Sequence, residues 1–377
     1  MAYIHQLQTW PDFTWDDAQV LPLLVAVRHR QGRLLGRMDS MEEPSRAEAA
    51  LENLTSEVTQ SSAIEGTWFD PASVRSSVAR HMGLPHTDES APDRMIEGAV
   101  EMMMDATAHH AAPLTVDRLW GWQASLFPGG RRGLHRVRIG QWRTPDMDPM
   151  QVVSGPIDRD RIRRKNIHFE APTADRIEAE VARFLTWFEK PGTLDPVLRA
   201  GLAHLWFVTI HPFQDGNGRV SRAIAEMALA RADGSGLRFY NMSAQIEAEK
   251  KHYYRILEET QKGTLDVTGW LTWFLGCLDR AMQRAETTLD RIIHKANLWV
   301  SLNRSLTLNA RQRLVINALL DDPNATPLST SRYAKLAGCS LDTALRDIKP
   351  LVQAGALVPG EAGGRSTKYH LQTVPAK

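Results

Sequence analysis

The chain has 377 residues, enough for two or three domains, and its 43% hydrophobic and 24% charged residues are ordinary for a water-soluble globular protein. A net charge of +1 gives no overall attraction to nucleic acid or to a membrane surface. Two widely separated cysteines, Cys277 and Cys339, exclude a disulfide framework or a zinc site and favour a reducing compartment.

The N-terminal segment Met1–Asp17 has no basic start followed by an apolar stretch. A run of about 18 apolar residues, the length that a transmembrane helix needs, occurs nowhere in the sequence. We therefore expect no signal peptide, no contact with a membrane and a cytoplasmic location.

Helical periodicity dominates the chain, because six segments carry apolar residues at a spacing of three or four. These segments are Leu21–Leu35, Ala47–Ile64, Ile96–His109, Ala174–Phe188, Val197–Ile210 and Val220–Ala230. The polar stretch Leu84–Asp93 contains two prolines and predicts a linker or loop. The sequence thus predicts a mainly α-helical protein with domains at 1–90, 91–300 and 301–377.

Two short segments in the middle of the chain predict a β-hairpin. Met150–Pro156 is an apolar run that ends in Gly-Pro, and Ile167–Pro172 alternates between apolar and polar residues. The connecting loop Asp158–Asn166 is strongly basic, with five Arg or Lys among the seven residues of Arg159–Lys165. This loop is either a solvated connection or a patch for an acidic target.

The segment His211–Arg219, with Arg222 one turn later, combines residues that suit a polyphosphate. Gly216–Gly218 opens a helix, so its backbone N–H groups point outward into an anion cradle. Arg219 and Arg222 are three residues apart on one helix face beside this cradle. Two guanidinium groups there suit a polyphosphate better than a single phosphate.

The same segment supplies a candidate metal ligand and a candidate base. Asp215 is a hard carboxylate beside the phosphates, which is how Mg²⁺ is usually held. His211 ends the preceding helix and can act as a general base at neutral pH. Each residue alone has an ordinary structural interpretation as a core histidine, a turn or a helix cap. Their occurrence together favours phosphate chemistry.

This segment resembles the signature of the Fic family, His-Pro-Phe-x-Asp-Gly-Asn-Gly-Arg-x-x-Arg, and matches it at every fixed position. The N-terminal part and Leu114–Leu278 resemble the bacterial Fic proteins that have their own N-terminal helical domain. The resemblance implies a Fic helical core with a small β-hairpin flap, an N-terminal helical domain and a C-terminal winged-helix domain.

The resemblance also implies an activity, that of a protein adenylyltransferase. Such an enzyme transfers AMP from ATP to a Ser, Thr or Tyr hydroxyl of a target protein, which is held along the flap by strand addition. Self-modification and a homodimer are further expectations. The implied roles are general base for His211, apolar anchor for Phe213, Mg²⁺ ligand for Asp215, phosphate cradle for Gly216, Asn217 and Gly218, and phosphate contacts for Arg219 and Arg222.

Two other functions stay open at this point. One is transfer of a different nucleotide, or removal of AMP from a modified target. The other is a DNA-binding regulator whose core only senses a nucleotide, although a sensor would not need His211. Tyr253 and Tyr254 occupy a region that borders the adenine pocket in similar proteins, and a helix-packing role is the alternative.

The segment Ser61–Gly66 matches the family's inhibitory pattern, Ser/Thr-x-x-x-Glu-Gly/Asn. Apolar residues of the helix Ala47–Ile64 share a face with Ser61 and Glu65, so this face is expected to pack inward. A carboxylate at a helix C-terminus opposes the helix dipole and needs a cation when it is buried. The resemblance supplies Arg222 as that cation, and an exposed glutamate that merely ends the helix is the alternative.

The tail is the basic part of the chain, with nine Lys or Arg and five Asp or Glu from Asn309 to Lys377. Ser329–Ala337 and a helix beginning at Leu341 would form a helix-turn-helix, followed by a wing at Gly360–Leu371. Pro350 is expected to kink the second helix or end it early. The tail would contact either DNA or a protein.

Overall fold

The structure, a computed structural model, describes residues 2–85, 92–154, 166–305, 307–320, 326–360 and 367–371. These residues form helices and three small antiparallel sheets, which confirms the predicted mainly α-helical class. The chain divides into two compact units, residues 1–287 and 288–377. Among the described helices, none combines the length and the apolar content that a membrane span requires.

The first unit begins with three helices whose ends are set by local side chains. They are α1 (Asp17–Asp39), α2 (Glu43–Ile64) and α3 (Pro71–His81). The Asp16 carboxylate accepts a hydrogen bond from the Ala18 N–H at 2.9 Å, and Asp70 accepts one from the Ser73 N–H at 3.0 Å. Helix α2 ends where Gly66 takes a φ of +78°, a left-handed conformation that favours glycine.

Eight further helices complete the core and lead into the tail. They are α4 (Arg94–Ala108), α5 (Val116–Ser125), α6 (Ile177–Glu189), α7 (Pro196–Ile210), α8 (Asn217–Asp233), α9 (Met242–Ala248), α10 (Lys250–Gln261) and α11 (Thr268–Ser305). All residues from Val197 to Ile210 on α7 except Arg199 are buried. Helices α7 and α8 pack together, so the short loop between them lies at a rigid junction.

Two hairpins lie near that junction. The smaller pairs β1 (Arg131–Arg132) with β2 (His135–Arg136). The larger, the flap, pairs β3 (Gln151–Ser154) with β4 (Asn166–Glu170) in antiparallel register, which confirms the predicted hairpin. The predicted basic connection Arg159–Lys165 lies outside the described residues.

The second unit begins with the C-terminal part of α11, which is followed, among the described residues, by three short helices and a small sheet. They are α12 (Ala310–Leu320), β5 (Leu328–Ser329), α13 (Thr330–Ala337), α14 (Leu341–Gln353), β6 (Leu357–Pro359) and β7 (Lys368–Leu371), with the strands in the order β5-β7-β6. Of the two effects expected at Pro350, the early end is wrong, because α14 continues to Gln353 and the Ala354 N–H donates to the Pro350 carbonyl. A kink at Pro350 stays a prediction. The winged-helix assignment and the contact with DNA or protein stay predictions.

Candidate active site

His211 ends α7 with a φ of +52°, a left-handed conformation that costs a non-glycine residue about 1 kcal/mol or more. Its Nδ1 lies 3.2 Å from the Val208 carbonyl oxygen, which assigns the ring hydrogen to Nδ1 and leaves a lone pair on Nε2. Burial, reinforced by the charge of Arg143, lowers the pKa of His211 to about 4. The ring is therefore neutral at neutral pH and able to accept a proton.

The loop after His211 is braced by its own side chains. Phe213 is fully buried, as expected of an apolar anchor. The Asn217 Oδ1 accepts from the Phe213 N–H at 2.9 Å, and the Asn217 Nδ2 donates to the Phe213 carbonyl at 2.8 Å. The Asn217 side chain thus holds the loop closed, while its backbone belongs to the N-terminus of α8, which we call the cradle.

Two buried arginines project from the first turns of α8. Arg219 and Arg222 are only 3% and 2% exposed, and the Arg219 guanidinium stacks 4.9 Å from the Phe127 ring centre. Within the described part of the chain, Arg219 Nε and Arg222 Nη1 find no hydrogen-bond partner. Buried donors without partners are costly, so these two nitrogen atoms indicate a site for an anion.

Glu65, which follows α2, lies against the cradle. Its Oε1 is 2.9 Å from Arg222 Nη2, while Arg222 Nε donates to Ser61 Oγ at 2.9 Å. A Cβ placed on Gly218 would collide with the Glu65 carboxylate, so the carboxylate fills the space that glycine leaves open. Burial opposes ionisation of Glu65, but Arg222 outweighs it and holds the pKa of Glu65 below its ordinary value. Glu65 is therefore a charged carboxylate beside Gly218 at the start of α8.

Three side chains hold the last carbonyl groups of this segment, where the hydrogen bonds of the helix end. The Ala63 carbonyl also accepts from the Gly66 N–H at 3.0 Å. Lys250 Nζ donates to the Ala63 carbonyl at 3.1 Å, and the Tyr254 hydroxyl donates to the Ile64 carbonyl at 3.2 Å. Arg132 Nη2 donates to the Glu65 carbonyl at 3.1 Å. The C-terminal end of α2 is thus anchored on α10 and on the β1–β2 hairpin, in addition to the Glu65 ion pair.

Asp215 lies at the edge of the cradle with both carboxylate oxygens engaged. Oδ1 accepts from the Gly216 N–H at 2.7 Å, and Oδ2 pairs with Arg132 Nη1 at 2.8 Å. The Gly216 φ of +93° allows the chain to turn from Asp215 into α8. The side chain is one quarter exposed, so a hard cation can reach it from solvent.

Arg143, which the sequence did not single out, links the loop after His211 to the flap. Its buried guanidinium donates from Nε to the His211 carbonyl at 2.9 Å and from Nη1 to Asp148 at 2.6 Å. It also donates to the Pro172 carbonyl. Asp148 precedes β3 and Pro172 follows β4, so one side chain holds the strained His211 backbone and both ends of the flap.

A cavity of about 670 Å³ opens between the segment His211–Gly218, the flap and α10. His211, Gly218 and Glu65 line it, and so do Tyr253 and Tyr254. Both tyrosines therefore border the cavity, although Tyr253 is itself 1% exposed and also packs within the core. A cavity with apolar walls and a few converging polar groups is typical of a small-molecule site.

Two parts of the chain match known protein families. Residues 113–229 match the model of the Fic/DOC family, and residues 3–84 match a domain of unknown function, DUF4172. The fold is similar to a Fic family protein from Desulfovibrio desulfuricans, with a TM-score of 0.56 and 20% identity over 97% of this chain and 99% of that one. A Fic-domain signaling protein from Bacteroides thetaiotaomicron aligns with a TM-score of 0.51 and 16% identity over 72% of this chain and 97% of that one.

Curated relatives match over a shorter stretch. The protein adenylyltransferases Fic of Drosophila sechellia and Drosophila melanogaster are 30% identical over 132 residues, which is 34% of this chain and 25% of each relative. The chain thus spans about a quarter of the length of these relatives. The complete signature at the turn into α8 lies inside the matched domain. This chain carries a Fic/DOC family domain and has the mainly helical fold of Fic family proteins.

Proposed function

We propose that this protein is an adenylyltransferase, which transfers AMP from ATP to a Ser, Thr or Tyr hydroxyl of a protein and is restrained by Glu65. The observation that carries the proposal is the pair of buried, unpartnered guanidinium nitrogens on Arg219 and Arg222 beside a neutral His211. A polyphosphate satisfies both arginines at once. The adjoining cavity has room for the nucleoside.

The reaction needs one proton transfer and one displacement. Nε2 of His211 takes the proton of the target hydroxyl while the hydroxyl oxygen forms a bond to the α-phosphorus. The bond from the α-phosphorus to the bridging oxygen breaks, and pyrophosphate leaves. The negative phosphates favour the protonated ring, so they raise the pKa of His211 from its value without nucleotide. The cradle and the arginines supply positioning and charge stabilisation.

The residues present fit a hard divalent cation such as Mg²⁺. The carboxylate of Asp215 lies beside the cradle and is partly exposed, and one or two carboxylates with phosphates and waters are the usual Mg²⁺ ligands. The ion would offset charge on the phosphates when bound. Asp215 would hold it, and the Gly216 N–H would keep the carboxylate in place.

Labelled ATP tests the proposal directly. With Glu65→Gly protein and a cell lysate, label in the α-phosphate should become covalently attached to protein beyond the amount attached in the lysate alone. His211→Ala in the same background should abolish attachment while ATP still binds, because the cradle and both arginines remain. His109→Ala, which removes an exposed histidine, is the control. Normal attachment in the His211 variant would refute the mechanism.

Removal of AMP is a second candidate, because Glu65 and His211 line one cavity and a carboxylate there can orient a water molecule. The Glu65→Gly variant separates the two activities. Transfer should rise in this variant, whereas removal of AMP from a modified protein should fall. Transfer of a different nucleotide is tested by comparing attachment of label from each of the four nucleoside triphosphates in the same variant.

A further inference from the structure

Arg132 stands out because one guanidinium bridges two parts of the site that perform different tasks. Nη1 pairs with Asp215 Oδ2 at 2.8 Å, and Nη2 donates to the Glu65 backbone carbonyl at 3.1 Å. Asp215 is the candidate metal ligand, and the Glu65 carbonyl is the end of the inhibitory segment. The proposed function assigns no role to Arg132.

We infer that Arg132 is a latch that makes metal binding at Asp215 and seating of the α2 end mutually unfavourable. The inference rests on the proposed function for the metal role of Asp215. The Arg132 guanidinium is itself a cation bound to the Asp215 carboxylate at hydrogen-bond distance. A divalent cation at this carboxylate is repelled by the guanidinium charge on Oδ2 and competes with it for the carboxylate, while Oδ1 already accepts from the Gly216 N–H.

Displacement of the guanidinium from Asp215 also weakens the hydrogen bond that holds the end of α2. The planar guanidinium holds its two nitrogens in a fixed geometry, so Nη1 cannot leave Asp215 without changing the position of Nη2. The carbonyl of Glu65 is one of the groups that have no helical partner and depend on side chains. Metal binding therefore weakens one anchor of α2, and by linkage a seated α2 weakens metal binding by the same factor.

The size of the effect is modest. The side chain of Arg132 is 47% exposed and that of Asp215 is 25% exposed, so water screens the pair. Exposed ion pairs of this kind change an equilibrium by about two- to fivefold. The partial exposure has a practical advantage, since replacement of Arg132 leaves the core intact.

The test is a titration of Mg²⁺ into full-length protein with ADP, followed by calorimetry and by hydrogen exchange of residues 63–67, and it requires no transfer. Arg132→Gln should bind Mg²⁺ about two- to fivefold more tightly than wild type. Wild type should lose about two- to fivefold of its protection at residues 63–67 as Mg²⁺ is added, whereas Arg132→Gln should begin with protection lower by that factor and change little. Arg131→Gln removes the same charge from the neighbouring exposed residue and should behave like wild type.

Each other outcome has a definite meaning. Equal Mg²⁺ affinity in Arg132→Gln and wild type would overturn the latch and leave the proposed function intact. Equal strengthening in Arg131→Gln would also overturn it, since the cause would be net charge and not the bridge. Absence of Mg²⁺ binding in all three proteins would refute the metal role of Asp215, and with it both the proposed function and the latch.

Discussion

Replacement of Glu65 by glycine is the perturbation that tests the restraint on the site most directly. The Glu65 carboxylate engages Arg222, the cation that the distal phosphate also needs, and fills the space beside Gly218. One guanidinium cannot serve both anions in the same geometry. A charge-assisted hydrogen bond of this kind contributes about 1.5–3 kcal/mol. Its removal should therefore raise the competent fraction, and the initial labelling rate, by about ten- to hundredfold.

Two matched variants separate the effect of the Glu65 charge from the effect of its volume and from a general effect of changing this helix. Glu65→Gln keeps the volume beside Gly218 but removes the charge, so its rate should lie between those of wild type and Glu65→Gly. Glu48→Ala removes a glutamate of the same helix that pairs with Arg75 at the surface, and it should have no effect. The assay is the initial rate of α-phosphate labelling at saturating Mg²⁺ and ATP. Equal or lower rates in Glu65→Gly would show that the helix is structural and does not restrain the site.

Three further predictions concern the metal, the loop and a buried carboxyl group. Asp215→Asn should abolish the part of ATP binding that depends on Mg²⁺ but leave ATP binding in a chelator unchanged, as measured by calorimetry. An equal loss of ATP binding with Mg²⁺ and with the chelator would contradict the metal role. Asn217→Ala leaves the buried N–H and carbonyl of Phe213 without partners. It should therefore lower the free energy of unfolding by about 2 kcal/mol or more in a denaturant titration. A loss below about 0.5 kcal/mol, the size of an ordinary surface substitution, would contradict the bracing role. Burial, with the nearby Glu226 carboxyl, raises the pKa of Glu57 to about 8, so the folded protein keeps a proton that the unfolded chain loses near its ordinary pKa. The contribution of Glu57 to stability should consequently fall as the pH rises from about 5 to 8, by up to about 1.4 kcal/mol per pH unit, so the free energy of unfolding of wild type should drop relative to that of Glu57→Gln over this range. A difference between the two proteins that does not change with pH would refute it.

Sequence patterns predicted the helices and the cradle because both depend on neighbouring residues. The buried face of a helix recurs every three or four residues, and the residues of the cradle are contiguous. The inward position of Glu65 also follows from the apolar face of α2, although its pairing with Arg222 was supplied only by the family resemblance. Patterns among neighbouring residues were thus enough to single out the residues of the candidate site.

The supporting arginines and the lysine of the site could not be predicted in this way. Arg132 and Asp215 are 83 residues apart, Arg143 and His211 are 68 apart, and Lys250 and Ala63 are 187 apart. Each of these side chains reaches a backbone carbonyl or a carboxylate that only the folded chain brings near. An arginine in a polar loop has the same local pattern whether it is solvated or buried, so its role depends on tertiary contacts.

The missing side chain of Gly218 has a consequence for how the restraint can be lost. The same small space receives the Glu65 carboxylate in the structure and a phosphate in the proposed reaction. Any substitution that fills this space to expel Glu65 also expels the substrate, so the cradle offers no route to a permanently active protein. Activating mutations selected at random should therefore occur on α2 and at its anchors Arg132, Lys250 and Tyr254, and should be missing from residues 216–218.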